Sequence, residues 1–419
     1  MDQFRVYPSS NLSGEVTISG AKNSVLPIMA ATLLGQGVSR IDNVPDLKDV
    51  RTMCDVMRVI GAQIQFQDNS LKVDTTFCNH FEAPYELVKT MRASIYVLGP
   101  LVAKHGYARV SLPGGCAWGP RPVDLHIKGL EAIGATIKVS HGYIEATSEG
   151  LSGGDYHFPI SSVGASANVI MAAVLAQGPS TLQNVAIEPE IDQLCEYLVS
   201  MGAIIAGIGT RTLKITGVAE LSPGQGKTIP DRIEAGTFLA AAAITRSKIK
   251  INAVNPKHLK EVLNHLESMG VLLETTESTI TIDATQPLTA KSIETQPYPG
   301  FPTDLQAPFM ALLASIPGNS FIRETIYLDR FKHLSELDRL GAKIKLNDSM
   351  ATIEGGEPFS AAPVMATDLR AGAALVLAGL IAEGNTEVSR IYHMDRGYEN
   401  FEAKMAGLGA QVERIQASF

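Results

Sequence analysis

The sequence predicts an α/β protein of two domains, each assembled from three copies of one unit that runs helix, strand, helix, hairpin. Three observations carry this expectation. A glycine-centred pattern recurs six times, at Gly61, Gly134, Gly202, Gly270, Gly341 and Gly409, with separations of 73, 68, 68, 71 and 68 residues. The apolar spacing around each copy switches from the helical period to alternation. A Gly/Pro-rich stretch, Ser222 to Pro230, falls between the third and fourth copies and reads as the linker between the domains. At 419 residues the chain is also too long for one ordinary hydrophobic core.

Each element of the unit has a local cause. Upstream lies an alanine-rich apolar run such as Pro27 to Leu34, Val169 to Ala176 or Leu375 to Ala382, read as the first helix. A short strand follows, for example Val38 to Ile41 or Thr386 to Ile391. Val50, Met53, Met57 and Ile60 then repeat at helical spacing, and Gly61 reads as the helix stop, since a left-handed residue there suits glycine best. Beyond it, Gln63 to Phe66 and Leu71 to Val73 flank Asp68-Asn69-Ser70, a hairpin signal. The predicted domains are 21–228 and 1–20 with 229–419, the N-terminal run Phe4 to Tyr7 completing the sheet of the truncated sixth copy.

Composition excludes several classes. With 45% hydrophobic and 19% charged residues the chain reads as a compact enzyme rather than a disordered one. A net charge of −8 and sparse aromatics argue against nucleic acid as a partner. No apolar run spans a bilayer and no secretory leader is visible, so no membrane partner and a cytoplasmic location are expected. Cys54, Cys78, Cys116 and Cys195 are far apart, which argues against a disulfide framework or structural zinc. His80, His105, His126 and His333 lack metal-ligand spacing and read as core or surface histidines. No dinucleotide fingerprint, phosphate-loop motif or nucleophile elbow is present.

Charge recurs at equivalent places in the repeats. The first helices begin at Lys22-Asn23, Arg92, Ser161-Ser162, Asp231-Arg232, Asp304, and Asp368 with Arg370. The second helices follow Lys48-Asp49, Arg121 with Asp124, Glu190, Lys257 with Lys260, Arg330 and Arg396. Cations at helix N-termini oppose the macrodipole, so Lys22, Arg92, Arg121 and Arg396 there point to anion sites. Asp304 and Asp368 among them would supply a base or orient a lysine. A cleft between two such domains suits a substrate with several phosphates or carboxylates. Cys116 lies behind two glycines and shortly before Arg121, a setting that favours an accessible thiolate. A free cysteine is more often a packing residue, and this loop alone does not separate the two roles.

The chain resembles the UDP-N-acetylglucosamine 1-carboxyvinyltransferase family over essentially its whole length. The resemblance is carried by Gly20-Ala-Lys-Asn-Ser24, Pro113-Gly-Gly-Cys116, Arg121-Pro-Val-Asp-Leu-His126, Ser162-Val-Gly-Ala165, Gly300-Phe-Pro-Thr-Asp304, Ala366-Thr-Asp-Leu-Arg370 and Tyr392-His-Met-Asp-Arg-Gly397. It implies the enolpyruvyl transferase fold: two inverse α/β domains, each of three βαβαββ repeats, with the active site in the interdomain cleft. It also implies transfer of the enolpyruvyl group of phosphoenolpyruvate to the 3-hydroxyl of UDP-N-acetylglucosamine, the first committed step of peptidoglycan synthesis.

The same resemblance implies the site. Lys22, Asn23, Arg121 and Arg396 would hold phosphoenolpyruvate. Asn23, Arg92, Arg121, Pro122, Val123, Asp124, Leu125, Ser161, Ser162, Val163, Gly164, Asp304 and Ile326 would hold the UDP-sugar. Cys116 would protonate the methylene carbon and Asp304 would take the hydroxyl proton, with Lys22 and Arg396 also catalytic. Lys48, Asp49, Arg232, Asp368 and Arg370 would support them. No cofactor and no metal are implied, and the epoxide fosfomycin would be a covalent inhibitor at Cys116. Trp118 and Ile160 depart from the residues usual in the family, an aliphatic side chain and a lysine respectively. Transfer to 3-phosphoshikimate, and a non-catalytic nucleotide-sugar-binding repeat protein, are the alternatives.

Overall fold

The computed structural model describes residues 2–89, 91–112 and 123–416. It divides into two units, Gly20–Ile229 and Met1–Ser19 with Pro230–Phe419. Each unit has a hydrophobic core of its own.

Six four-stranded sheets, one per repeat, share a single strand order. In the second repeat the short strand Glu82–Ala83 runs parallel to Tyr107–Ser111, which pairs antiparallel with Tyr143–Thr147; Thr136–Ser140 forms the far edge. The parallel pair is what a helical crossover requires, and the antiparallel pair is what a tight hairpin allows. The short strand ahead of the first helix carries only two to four residues per repeat, too few for an alternating pattern to show.

The first helices are buried nearly all round, as their lack of a polar face demands. In Lys22–Ala31 every residue from Ser24 onward is buried, and in Val163–Ala173 every residue from Ala165 onward. Within each unit these helices pack on one another at the centre. The second helices are amphipathic: Lys48–Ile60 buries Val50, Met53, Met57 and Ile60, and of its charged residues Asp49 is buried with them. All six repeat glycines lie at positive φ, between +89° and +110°. The hairpin after Gly61 turns at Asp68 and Asn69, with φ of 49° and 56°, so that Gln63–Gln67 pairs with Ser70–Asp74.

Each unit borrows a strand from a distant part of its own sequence. Asp2–Val6 lies between Thr386–Ser389 and Val412–Gln416 and completes the sixth sheet, as the orphan N-terminal run suggested. Glu15–Thr17 is the parallel edge of the fourth. The stretch read as a plain linker needs correction, because Gln225–Lys227 is the parallel edge strand of the first sheet, on Val38–Asp42. Its composition misleads for a packing reason. A Cβ at Gly226 would lie 2.9 Å from the Tyr197 ring, so the strand must carry glycine to approach it.

Candidate active site

In the unit Gly20–Ile229, Lys22 opens the first helix and Asp49 sits in the first turn of the second. Their side chains meet at 2.9 Å, Asp49 buried and Lys22 nearly so. The helix at Lys22 has no capping side chain and no acid in its first turn, so the Asp49 carboxylate compensates an ammonium that the helix end disfavours. Lys48 is exposed, and Asn23 is half-buried beside Lys22.

A second cluster in that unit surrounds His126. Asn168 Nδ2 donates to its Nδ1 at 3.1 Å and to the Ile95 carbonyl at 2.9 Å, while Gly99 N–H donates to Asn168 Oδ1 at 2.6 Å. Burial pushes the imidazole down to about 3, reinforced by the Arg92 cation. The ring is therefore neutral, and its Nε2 faces Gly164, where a Cβ would come within 3.3 Å. Ser162 caps Val163–Ala173 by accepting the Ala165 N–H at 3.4 Å. Val123, Asp124 and Leu125 lead into the helix that carries His126. The structure thus gathers Arg92, the start of the helix at 163–164 and residues 123–126 around one neutral histidine. Nearby, Ile160 is strongly exposed. Cys116, Arg121 and Pro122, together with Trp118, lie outside the described residues.

In the other unit Asp304 is held by two guanidinium groups. Arg330 Nη1 meets Oδ1 at 2.6 Å and Arg370 Nη2 meets Oδ2 at 3.2 Å. Arg370 is fully buried and lies over the Tyr398 ring, 5.1 Å from its centroid. Asp368 caps Leu369–Gly379, its Oδ1 accepting from Arg370 N at 2.8 Å and Ala371 N at 3.1 Å. Burial pushes the Asp368 carboxyl up, and Arg330 opposes that. Asp231 caps Arg232–Ile244 in the same way, and Arg232 lies over the Tyr298 ring. Ile326 is exposed despite its apolar side chain, and Arg396 closes the turn Ile391–Arg396 half-buried.

Sequence reasoning placed Arg330 only as a charge ahead of a helix; the structure makes it the nearer ion-pair partner of Asp304. The described cysteines are chemically quiet: burial pushes the thiols of Cys54 and Cys195 up to about 11 and about 12. Among the described residues no cluster of His, Cys, Asp and Glu has the makings of a metal site, and no helix is long and apolar enough to cross a membrane.

This arrangement has known counterparts. The family model described as EPSP synthase (3-phosphoshikimate 1-carboxyvinyltransferase) matches residues 6–405. A UDP-N-acetylglucosamine 1-carboxyvinyltransferase from Chloroherpeton thalassium is 52% identical over 99% of this chain and 97% of that protein. One from Pelodictyon phaeoclathratiforme is 50% identical over 99% of this chain and 98% of that protein. The chain belongs to the UDP-N-acetylglucosamine 1-carboxyvinyltransferase family.

Solved structures agree on the architecture of this carboxyvinyltransferase family member. The enolpyruvyl transferase NikO from Streptomyces tendae matches with a TM-score of 0.90 at 25% identity, covering 100% of this chain and 99% of that one. EPSP synthase from Acinetobacter baumannii matches with a TM-score of 0.76 at 18% identity, covering 99% of this chain and 100% of that one, and shares the fold. The expectation of an enolpyruvyl transferase fold is met.

Proposed function

We propose that this chain transfers the enolpyruvyl group of phosphoenolpyruvate to the 3-hydroxyl of UDP-N-acetylglucosamine, releasing phosphate and committing the sugar nucleotide to peptidoglycan. The observation that carries this reading is 50–52% identity to transferases of that name along 99% of the chain. A cytoplasmic setting follows from the same reading, since both reactants are metabolites of that compartment.

The chemistry is addition followed by elimination. C2 of the enolpyruvyl group becomes electrophilic as C3 gains a proton, so an acid and a base must act on different reactants. In this reading Cys116 delivers the proton to C3, and Asp304 removes the proton of the attacking hydroxyl. The C2–O bond to the sugar forms, and the tetrahedral intermediate then loses a proton from C3 and phosphate from C2 as the enol double bond returns. Lys22, Asn23, Arg121 and Arg396 hold the phosphate and carboxylate of phosphoenolpyruvate, where cations stabilise the charge that shifts during transfer. Arg92, Pro122 to Leu125, Ser161 to Gly164 and Ile326 receive the UDP-sugar. Asp49 orients Lys22, while Arg370, Asp368 and Arg232 serve as the surroundings of the base. Fosfomycin would alkylate Cys116, the thiolate opening the epoxide.

The test is phosphate release from phosphoenolpyruvate with UDP-N-acetylglucosamine or 3-phosphoshikimate as acceptor. Release is expected only with the UDP-sugar. Release with the shikimate acceptor alone, or with neither, would overturn the reading.

A further inference from the structure

Glu324 has no part in the site assigned above, yet it is fully buried and its carboxylate accepts four hydrogen bonds. Oε1 accepts from Thr295 Oγ1 at 2.7 Å and from the backbone N–H groups of Ile326 and Tyr327 at 2.9 and 3.0 Å. Oε2 accepts from Thr303 Oγ1 at 2.9 Å. Thr303 is adjacent to Asp304, and its Oγ1 in turn accepts from Arg330 Nη1 at 3.1 Å. That same nitrogen is the one 2.6 Å from Asp304 Oδ1.

A directed chain therefore runs from Asp304 through Arg330 and Thr303 to Glu324. The threonine hydroxyl has a single proton, and the buried carboxylate takes it, which leaves the oxygen lone pairs facing the guanidinium. Arg330 Nη1 has two N–H bonds, one for Thr303 and one for Asp304, so fixing the first fixes the direction of the second. Gln306 Nε2 steadies the same arginine by donating to its carbonyl at 3.0 Å. A buried carboxylate is costly unless its bonds are all made, and a site that spends one on this geometry is specifying position.

We propose that Glu324 is a positioning residue for the reaction: through Thr303 it sets Arg330, and with it the Asp304 carboxylate, in the register that accepts the sugar hydroxyl proton, while its other oxygen sets the chain at Ile326. The proposal rests on Asp304 being the base. Two charged groups that face Asp304 are Arg330 and Arg370. Beyond them Asp368 acts on Arg330 and Arg370, and Asp231 and Tyr398 act on Arg370.

The experiment measures kcat, both KM values and the pH profile of kcat for Asp304→Asn, Thr303→Val, Thr303→Ser and Glu324→Gln. Thr303→Val is expected to lower kcat about tenfold or more, the scale of a misplaced catalytic group, and to leave the KM for phosphoenolpyruvate unchanged. The base must be deprotonated to act, so a less firmly held cation beside it moves the acid limb up, by about half a pH unit or more. A purely structural role would lower the rate without moving that limb. Thr303→Ser keeps the hydroxyl and is expected to restore both readings. Glu324→Gln is expected to raise the KM for the UDP-sugar as well; if that variant does not fold, the threonine pair decides.

An inactive Asp304→Asn combined with a Thr303→Val of wild-type kcat and pH limb would overturn the relay and leave the base in place. An active Asp304→Asn would instead remove the base, and the relay with it.

Discussion

Lys22 and Asp49 meet at 2.9 Å across two helix starts, and neither side chain is more than 12% exposed. Partners removed singly from such a pair leave a buried charge uncompensated, at a cost of about 3–5 kcal/mol. The double variant Lys22→Gln/Asp49→Asn is therefore expected to be less destabilised than the sum of its parts, with a coupling of about 1–3 kcal/mol in denaturant unfolding. Additive effects would show that the pair is not energetically coupled. In the proposed reaction Asp49→Asn also raises the KM for phosphoenolpyruvate about tenfold, because the ammonium loses its orientation.

Thiol labelling should be selective. Burial holds Cys54 and Cys195 with raised thiol values near 11 and 12, and raises Cys78 as well. Since the thiolate is the nucleophile, native protein at pH 7 is expected to take one equivalent of iodoacetamide rapidly, at Cys116. Cys116→Ser should label slowly until it is denatured, keep its fold, and lose most of its activity at neutral pH. Peptide mass mapping and the transfer assay check both halves; fast labelling of Cys116→Ser would contradict the assignment.

Acid should destabilise the fold through two buried imidazoles. His126 and His333 are both pushed down to about 3 from 6.5, chiefly by burial. Between those values the unfolded chain binds protons that the folded chain refuses, so unfolding becomes easier as pH falls. The stabilising contribution is complete above about pH 6.5 and is lost toward pH 3. His333→Gln is expected to flatten the dependence of the urea midpoint on pH in that window. An unchanged slope would show that His333 charges freely in the fold.

Two glycines in the last repeat should respond oppositely to alanine. A Cβ at Gly407 or at Gly409 would meet no atom within 4 Å, so space does not distinguish them. Gly407 ends the helix Phe401–Gly407, where alanine is expected to stabilise by about 0.5 kcal/mol. Gly409 has φ +89°, where a side chain is strained, and alanine there is expected to cost about 1–2 kcal/mol. Thermal melts of Gly407→Ala and Gly409→Ala test the pair; shifts of the same sign would contradict it.

The sequence by itself determined what depends on neighbouring residues. Gly61 and its five equivalents, the helical spacing of Val50 to Ile60 and the turn at Asp68-Asn69 are local, and each stands in the structure as the pattern predicts. Motifs such as Gly300 to Asp304 also pointed to the family, because their order along the chain is itself a signature. Tertiary structure decided what depends on approach between distant segments. The strand Gln225–Lys227 has no pattern of its own and exists only through pairing with Val38–Asp42. Arg370 reaches Asp304 across 66 residues, and the nearer cation, Arg330, emerges only once the fold is made. No motif or spacing in the sequence singles out Glu324. Its meaning comes from burial, since a carboxylate removed from water must find its hydrogen bonds in the protein, and it finds one of them on the threonine beside Asp304.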